Sequence, residues 1–195
     1  TIESKSINKG YKLLASVRLT IANLLQKNFA ETVLSINKAN ELINQEAINK
    51  VKNENNKKNA LSYYQFITAL YPLLEKENKY SDSQEIPHVG ESHCLSFAHQ
   101  TIPLSSQVKT IKPVLVTGGK AWHFAKKTNN QWKNSLTEQI RNHQYSDEIF
   151  ISFGEIDCRK DEGIISYTTK NNKDISEVCE KTIKGYLNYM EGILS

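Results

Sequence analysis

A serine stands at the end of the short apolar run Ile86-Pro87-His88-Val89-Gly90-Glu91-Ser92-His93, with helix-like sequence after it. A serine on a tight turn at the carboxyl end of a strand lifts its hydroxyl clear of the backbone, where a substrate can reach it. Gly-x-Ser alone is a common triplet. Its weight here comes from two later runs, Val114-Leu115-Val116-Thr117-Gly118-Gly119 and Ile149-Phe150-Ile151-Ser152-Phe153-Gly154-Glu155-Ile156-Asp157. Each is apolar, each stops at glycine, and each places polar groups just beyond. That is the layout of a parallel α/β sheet whose ligand site lies outside the carboxyl ends of its strands.

The chemistry such residues can do is nucleophilic. Ser92 is a feeble nucleophile at its own pKa and needs a base within hydrogen-bond reach. His93 is adjacent, but neighbouring side chains diverge, so its expected work is to fix the turn or line the pocket. Backbone N–H groups of Ser92 and of Gly118 or Gly119 are candidate oxyanion donors, each worth about 3 kcal/mol in the transition state. Glu155 and Asp157 either border the pocket and orient Arg159, or cap the loop after the strand through backbone N–H groups. Arg159 has both acids within sequence reach as ion-pair partners. Trp122 either stacks on a sugar ring or packs in the core, and Glu91 is expected to bond backbone. The catalytic candidates are thus Ser92, Gly118 and Gly119. The substrate-contacting candidates are Gly90, Glu91, His93, Trp122, His123, Gly154, Glu155, Asp157 and Arg159.

Together these blocks resemble those of the SGNH (GDSL-like) hydrolase superfamily of serine esterases and deacylases. The resemblance implies that Ser92 is the nucleophile and that Gly118 or Gly119 supplies an oxyanion N–H. The third family block, Gly-x-Asn-Asp, aligns with Gly154-Glu155-Ile156-Asp157, where the asparagine is replaced by Ile156; Arg159 and His123 are candidates to replace that donor. A bacterial branch with Gly-Glu/Asp-Ser-His and Phe-Gly-Glu-Ile-Asp-Cys-Arg is more similar still, and residues 153–159 reproduce its second motif in full. The likeness covers roughly residues 84–195. The family also has a late Asp-x-x-His block that carries the base. His88, His93, His99, His123 and His143 all precede the third run, and the first residue is Thr1. The chain therefore reads as part of a longer protein whose base lies further on, and as inactive by itself. The third run, apolar at nearly every position, reads as a strand buried on both faces with neighbours on both sides.

The elements that position these groups fall into two regions. Residues 1–80 carry helical periodicity and residues 85–195 the α/β blocks, with a polar link near 79–85. Ile7, Tyr11, Leu14, Val17, Ile21, Leu24 and Leu25 form one stripe, Phe29, Val33, Ile36, Ala39, Leu42 and Ile43 a second, and Leu61, Tyr64, Ile67, Leu70 and Tyr71 a third that ends where Pro72 starts a new turn or kinks the helix. The pattern fits a helical hairpin, with partial likeness to a tetratricopeptide unit. Residues 53–59, rich in Asn and Lys, read as a solvated connection. Beyond the link the expected order is strand (86–89), helix (93–100), strand (113–116), helix (130–142), strand (148–153), long loop and helix (174–194), a partial flavodoxin-like, three-layer parallel sheet of the SGNH type. The last helix has one broad apolar face, from Ile175 and Val178 to Met190 and Leu194, expected to lie against the sheet.

Composition excludes more than it assigns. The net charge is +4, and the basic excess lies before residue 81, with 12 Lys+Arg against 7 Asp+Glu there and 13 against 14 beyond. Spread among asparagines rather than interleaved with aromatics, it argues against nucleic-acid binding. No apolar run approaches the ~20 residues of a membrane span. Cys94, Cys158 and Cys179 are too scattered for a disulfide framework and read as buried packing residues; a reducing cytoplasm follows as the expected location. No metal site and no cofactor is expected. Two functions remain open: a hydrolase or transferase acting on a small-molecule or glycan acyl ester, such as an O-acetyl group, or a non-catalytic binding module whose helical region docks a protein partner.

Overall fold

The computed structural model describes residues 9–77, 83–104, 106–142 and 148–195. Ile7, His143 and residues 79–82 of the expected link lie outside the described residues. The chain divides into two units, Thr1–Asp82 and Ser83–Ser195.

The first unit holds α1 (Lys9–Leu25), α2 (Phe29–Leu42), α3 (Gln45–Asn49) and α4 (Glu54–Glu77), with α1 packed on the other three. Leu13, Leu14, Val17, Ile21 and Leu24 of α1 are buried, the spacing of one helical face, whereas Tyr11 on the expected stripe is exposed. Asparagines start three of the helices. Asn28 and Asn44 accept the N–H groups of Glu31 and Ala47, and Asn53 accepts that of Asn56 at 3.0 Å. The cap at Asn53 corrects the reading of 53–59 as a connection: with a donor of the first turn satisfied and Glu54 in place to meet the helix dipole, α4 begins there despite its polar sequence. It also runs through Pro72 as one element, anchored just before it by buried Ile67 and Leu70. The region is therefore a four-helix arrangement rather than a hairpin alone.

The second unit is mixed α/β. Its elements are β1 (Gln84–Gly90), a 3-10 turn over Ser92–Phe97, β2 (Thr101–Leu104), β3 (Gln107–Leu115), α5 (Ala121–Ala125), α6 (Gln131–Asn142), β4 (Phe150–Ser152), a second 3-10 turn over Ile156–Cys158, α7 (Gly163–Asn171) and α8 (Ile175–Leu194). The strands lie in the order β2-β3-β1-β4. β1 pairs in parallel with β3 (Gly90 opposite Leu115) and with β4 (Gly90 opposite Ser152). Because the chain passes from β3 to the other flank of β1, the order reverses at β1, and β1, β3 and β4 all end at the same edge of the sheet.

Three expectations are corrected. The sheet is mixed, not parallel throughout, because β2 forms an antiparallel hairpin with β3. Pro103 is at home in β2, an edge strand where a missing N–H costs the ladder little. β4, expected between two neighbours, pairs among the described residues with β1 alone, and Phe150 is exposed while Ile151 and Ser152 are partly so. The expected long loop after β4 contains α7.

One face of the sheet carries the main core, where Val89, Val114 and Val116 meet Phe124 of α5, Leu136 of α6 and Met190 of α8. Each such side chain contributes about 1.5–3 kcal/mol on burial. The other face is covered by the first 3-10 turn, whose Phe97 ring sits 5.9 Å from that of His88. Only part of the apolar face of α8 is used: Val178 and Met190 are buried, while Ile175, Ile183, Leu187 and Leu194 are exposed. No helix among the described residues is long and apolar enough to cross a membrane.

Candidate active site

Gly90 ends the central strand because nothing larger fits. A Cβ there would lie 2.5 Å from Ser152 Oγ and 2.7 Å from the Ser152 carbonyl oxygen. Glu91 follows in extended conformation and caps the 3-10 turn, its carboxylate accepting the His93 N–H at 3.2 Å. The same carboxylate accepts the Ser92 hydroxyl at 3.0 Å and lies 2.8 and 2.9 Å from His93 Nδ1. Glu91 is 1% exposed, Ser92 half-buried and His93 exposed. A buried carboxylate is tolerable when such donors satisfy it. The expected backbone-bonding role of Glu91 is present, and to it the structure adds contacts with the Ser92 hydroxyl and the His93 ring.

The loop after β4 reaches the same place. Glu155 Oε2 lies 3.7 Å from His93 Nδ1, and Glu155 takes a two-point contact from Arg159, Nε at 3.1 Å and Nη2 at 2.7 Å. The guanidinium, then the partly opposing cost of burial, leaves the Glu155 carboxyl below its ordinary pKa. Arg159 Nη1 lies 3.8 Å from Glu162, which in turn holds Lys120 at 2.7 Å. A line of alternating charges thus runs from Glu155 through Arg159 and Glu162 to Lys120, the residue that precedes α5. Of the two partners open to Arg159 in the sequence, Glu155 is the one engaged.

Asp157 is spent differently. Its buried carboxylate accepts the N–H groups of Ala121 at 2.8 Å and Trp122 at 3.3 Å, capping α5 from the β4 loop. Burial raises its pKa, against the backbone donors and Lys120 that lower it. It holds the loops of β3 and β4 together rather than facing a ligand. Gly154, at φ +128°, turns the chain out of β4 into this loop.

The two glycines after β3 separate in role. Gly118 has φ +69°, a conformation most side chains resist, and among the described residues its N–H and that of Ser92 have no acceptor. The N–H of Gly119 is given to Val116 O at 3.0 Å, which removes it as an oxyanion donor. A Cβ at Gly119 would lie 2.8 Å from the Phe153 ring, so its place is one of packing.

Trp122 and His123 stand on α5. The Trp122 ring lies 4.7 Å from that of Tyr167. The His123 ring stacks on Trp132 at 3.5 Å and 8°, and burial, then Lys120 and Lys126, hold its pKa at about 4. Neutral and stacked, His123 is a packing residue.

A pair missed in the sequence is His88 and Ser152, whose Nε2 and Oγ lie 2.8 Å apart. His88 is buried between the Phe97 and Phe150 rings, and burial lowers its pKa. Its Nδ1 has no partner among the described residues. Only the register of β1 on β4 reveals this pair, and no spacing signal announces it.

Glu91, His93 and Glu155 place one donor atom each within 4.8 Å of one another, a set that could hold a metal ion. Each donor is already engaged: His93 with Glu91, and Glu155 with Arg159. The cysteines are all free; Cys94 is buried and pushed up to about 12 mainly by burial, while Cys158 is exposed, against expectation. Comparison with protein-family models, with curated proteins and with solved structures finds no match for this chain.

Proposed function

We propose that the chain carries the nucleophile centre of a serine ester hydrolase or deacylase of SGNH-like, flavodoxin-type architecture, with Ser92 as nucleophile acting on an acyl or O-acetyl ester. The observation that carries the reading is the 3.0 Å contact from the Ser92 hydroxyl to the buried Glu91 carboxylate at the end of the central strand. Nucleophile, acceptor and a third group orienting the acceptor, here His93, form the general arrangement of an activated hydroxyl, and the distance lies within the range required of a general base. The sequence resemblance places the base on a later histidine and so implies a chain inactive by itself; with Glu91 in position among the described residues, the proposal departs from that expectation and has this chain turn over esters.

In this mechanism Ser92 Oγ attacks the acyl carbon as its proton passes to Glu91. The developing oxyanion takes hydrogen bonds from the backbone N–H groups of Ser92 and Gly118. Collapse expels the alcohol, which leaves with the proton from Glu91, and water, deprotonated by the same carboxylate, releases the acid and frees Ser92. Backbone donors held in place that do not reorient serve the oxyanion better than water does.

A second reading rests on His88 and Ser152, which are also within hydrogen-bond distance. It is the weaker one: no third group orients His88, and Ser152 lies tight against Gly90. A fluorophosphonate probe separates the two. Labelling lost in Ser92→Ala and kept in Ser152→Ala supports the proposal; the reverse pattern moves the nucleophile to Ser152, and no labelling of folded protein leaves a binding module instead.

A further inference from the structure

A cavity of about 530 Å³ opens among α5, α7 and α8, lined by Trp122, Tyr167, Lys126, Lys127, Lys173 and Lys181, among others. Its volume is that of a small-ligand site. The rings of Trp122 and Tyr167, tilted 42° to each other, give it an aromatic wall, with Lys126 Nζ 5.8 Å from the centre of the Trp122 ring. The lining carries four lysines. Lys109, Lys112 and Lys120 of the same unit all have carboxylate partners, whereas among the described residues none of these four is in an ion pair, and Glu177 is the one acid in the lining. A concave surface with unbalanced charge of one sign concentrates potential and draws counter-ions.

We propose that this cavity binds a small phosphate ester with a ring body, the ring against Trp122 and Tyr167 and the phosphate among the lysines. Lysine ammonium groups act as point charges and hold a phosphate in that way, without the planar fork that an arginine would bring. The ring body could be a sugar or a nucleobase with its ribose. Nothing in this inference depends on the chemistry of Ser92, and its failure would leave that proposal intact.

Calorimetric titration of the full chain with glucose 1-phosphate, uridine monophosphate and inorganic phosphate tests it. At least one ring phosphate should bind about tenfold more tightly than inorganic phosphate, since the ring adds stacking on the aromatic wall to what the phosphate gains alone; which of the two binds tells sugar from nucleotide. The double variant Lys126→Glu/Lys181→Glu alters exposed side chains only, should keep the circular dichroism spectrum, and should weaken that binding about tenfold or more. Equal affinity for inorganic phosphate, an unchanged affinity in the folded variant, or no binding of any probe would each overturn the assignment. So would far tighter binding of a single-stranded oligonucleotide, which would make the lysines part of a strand-tracking surface.

Discussion

The carboxylate of Asp157 receives the backbone N–H of Ala121 at 2.8 Å across 36 positions of sequence, joining the β4 loop to the start of α5. Two donors of that short helix, Ala121 and Trp122, depend on this one buried side chain. Asp157→Ala leaves both without an acceptor and should cost about 2 kcal/mol, the scale of a lost cap with buried donors. Asp157→Asn keeps one acceptor and should cost less. Urea unfolding followed by circular dichroism checks the order; equal stability of all three proteins would show that the cap contributes nothing.

The three thiols should differ in reactivity. Cys158 is exposed, Cys179 is partly exposed, and Cys94 is buried with its pKa pushed up to about 12. Since the thiolate is the reactive form, a maleimide at neutral pH should modify Cys158 first, Cys179 more slowly, and Cys94 only after denaturation. Peptide mapping by mass spectrometry reads the order, and early modification of Cys94 would contradict the packing of the first 3-10 turn.

His123 predicts an acid-sensitive element of stability. Burial, then Lys120 and Lys126, lowers its pKa from 6.5 to about 4 in the folded chain. Between those values the unfolded chain binds the proton and the folded chain does not, so stability is full above pH 6.5 and falls as the pH drops toward 4. His88 has the same sign. Comparing wild type with His123→Phe therefore isolates the contribution: the variant should lose less of its urea midpoint over that interval. An identical fall in both proteins would mean that His123 is not the group responsible.

The strands that bear the site were legible because each is an apolar run ended by glycine, and that signal survives without any knowledge of partners. The hairpin strand β2 was not, since Thr101-Ile102-Pro103-Leu104 is short and contains a proline that only an edge position excuses. The first half of β3 was hidden too, for Lys109 looks exposed in sequence but is buried beside Glu148. α7 was obscured by its β-branched residues, Ile164, Ile165, Thr168 and Thr169, and the start of α4 by a run of asparagines whose cap is visible only in three dimensions. Within the site, the turn serine and the Glu155–Arg159 contact could be read from spacing. The contact of Glu91 with the Ser92 hydroxyl could not, because side chains of adjacent residues ordinarily diverge and meet here only through the capping conformation of Glu91.

The most direct test of the account is Ser92-dependent turnover of p-nitrophenyl acetate by this chain, compared among wild type, Ser92→Ala and Glu91→Gln. The proposed geometry predicts measurable hydrolysis, abolished in Ser92→Ala and lowered about 10²-fold or more in Glu91→Gln, as for loss of a general base, with folding of each variant checked by circular dichroism. Turnover that is absent from folded wild type, or unchanged when Ser92 is replaced, would contradict it.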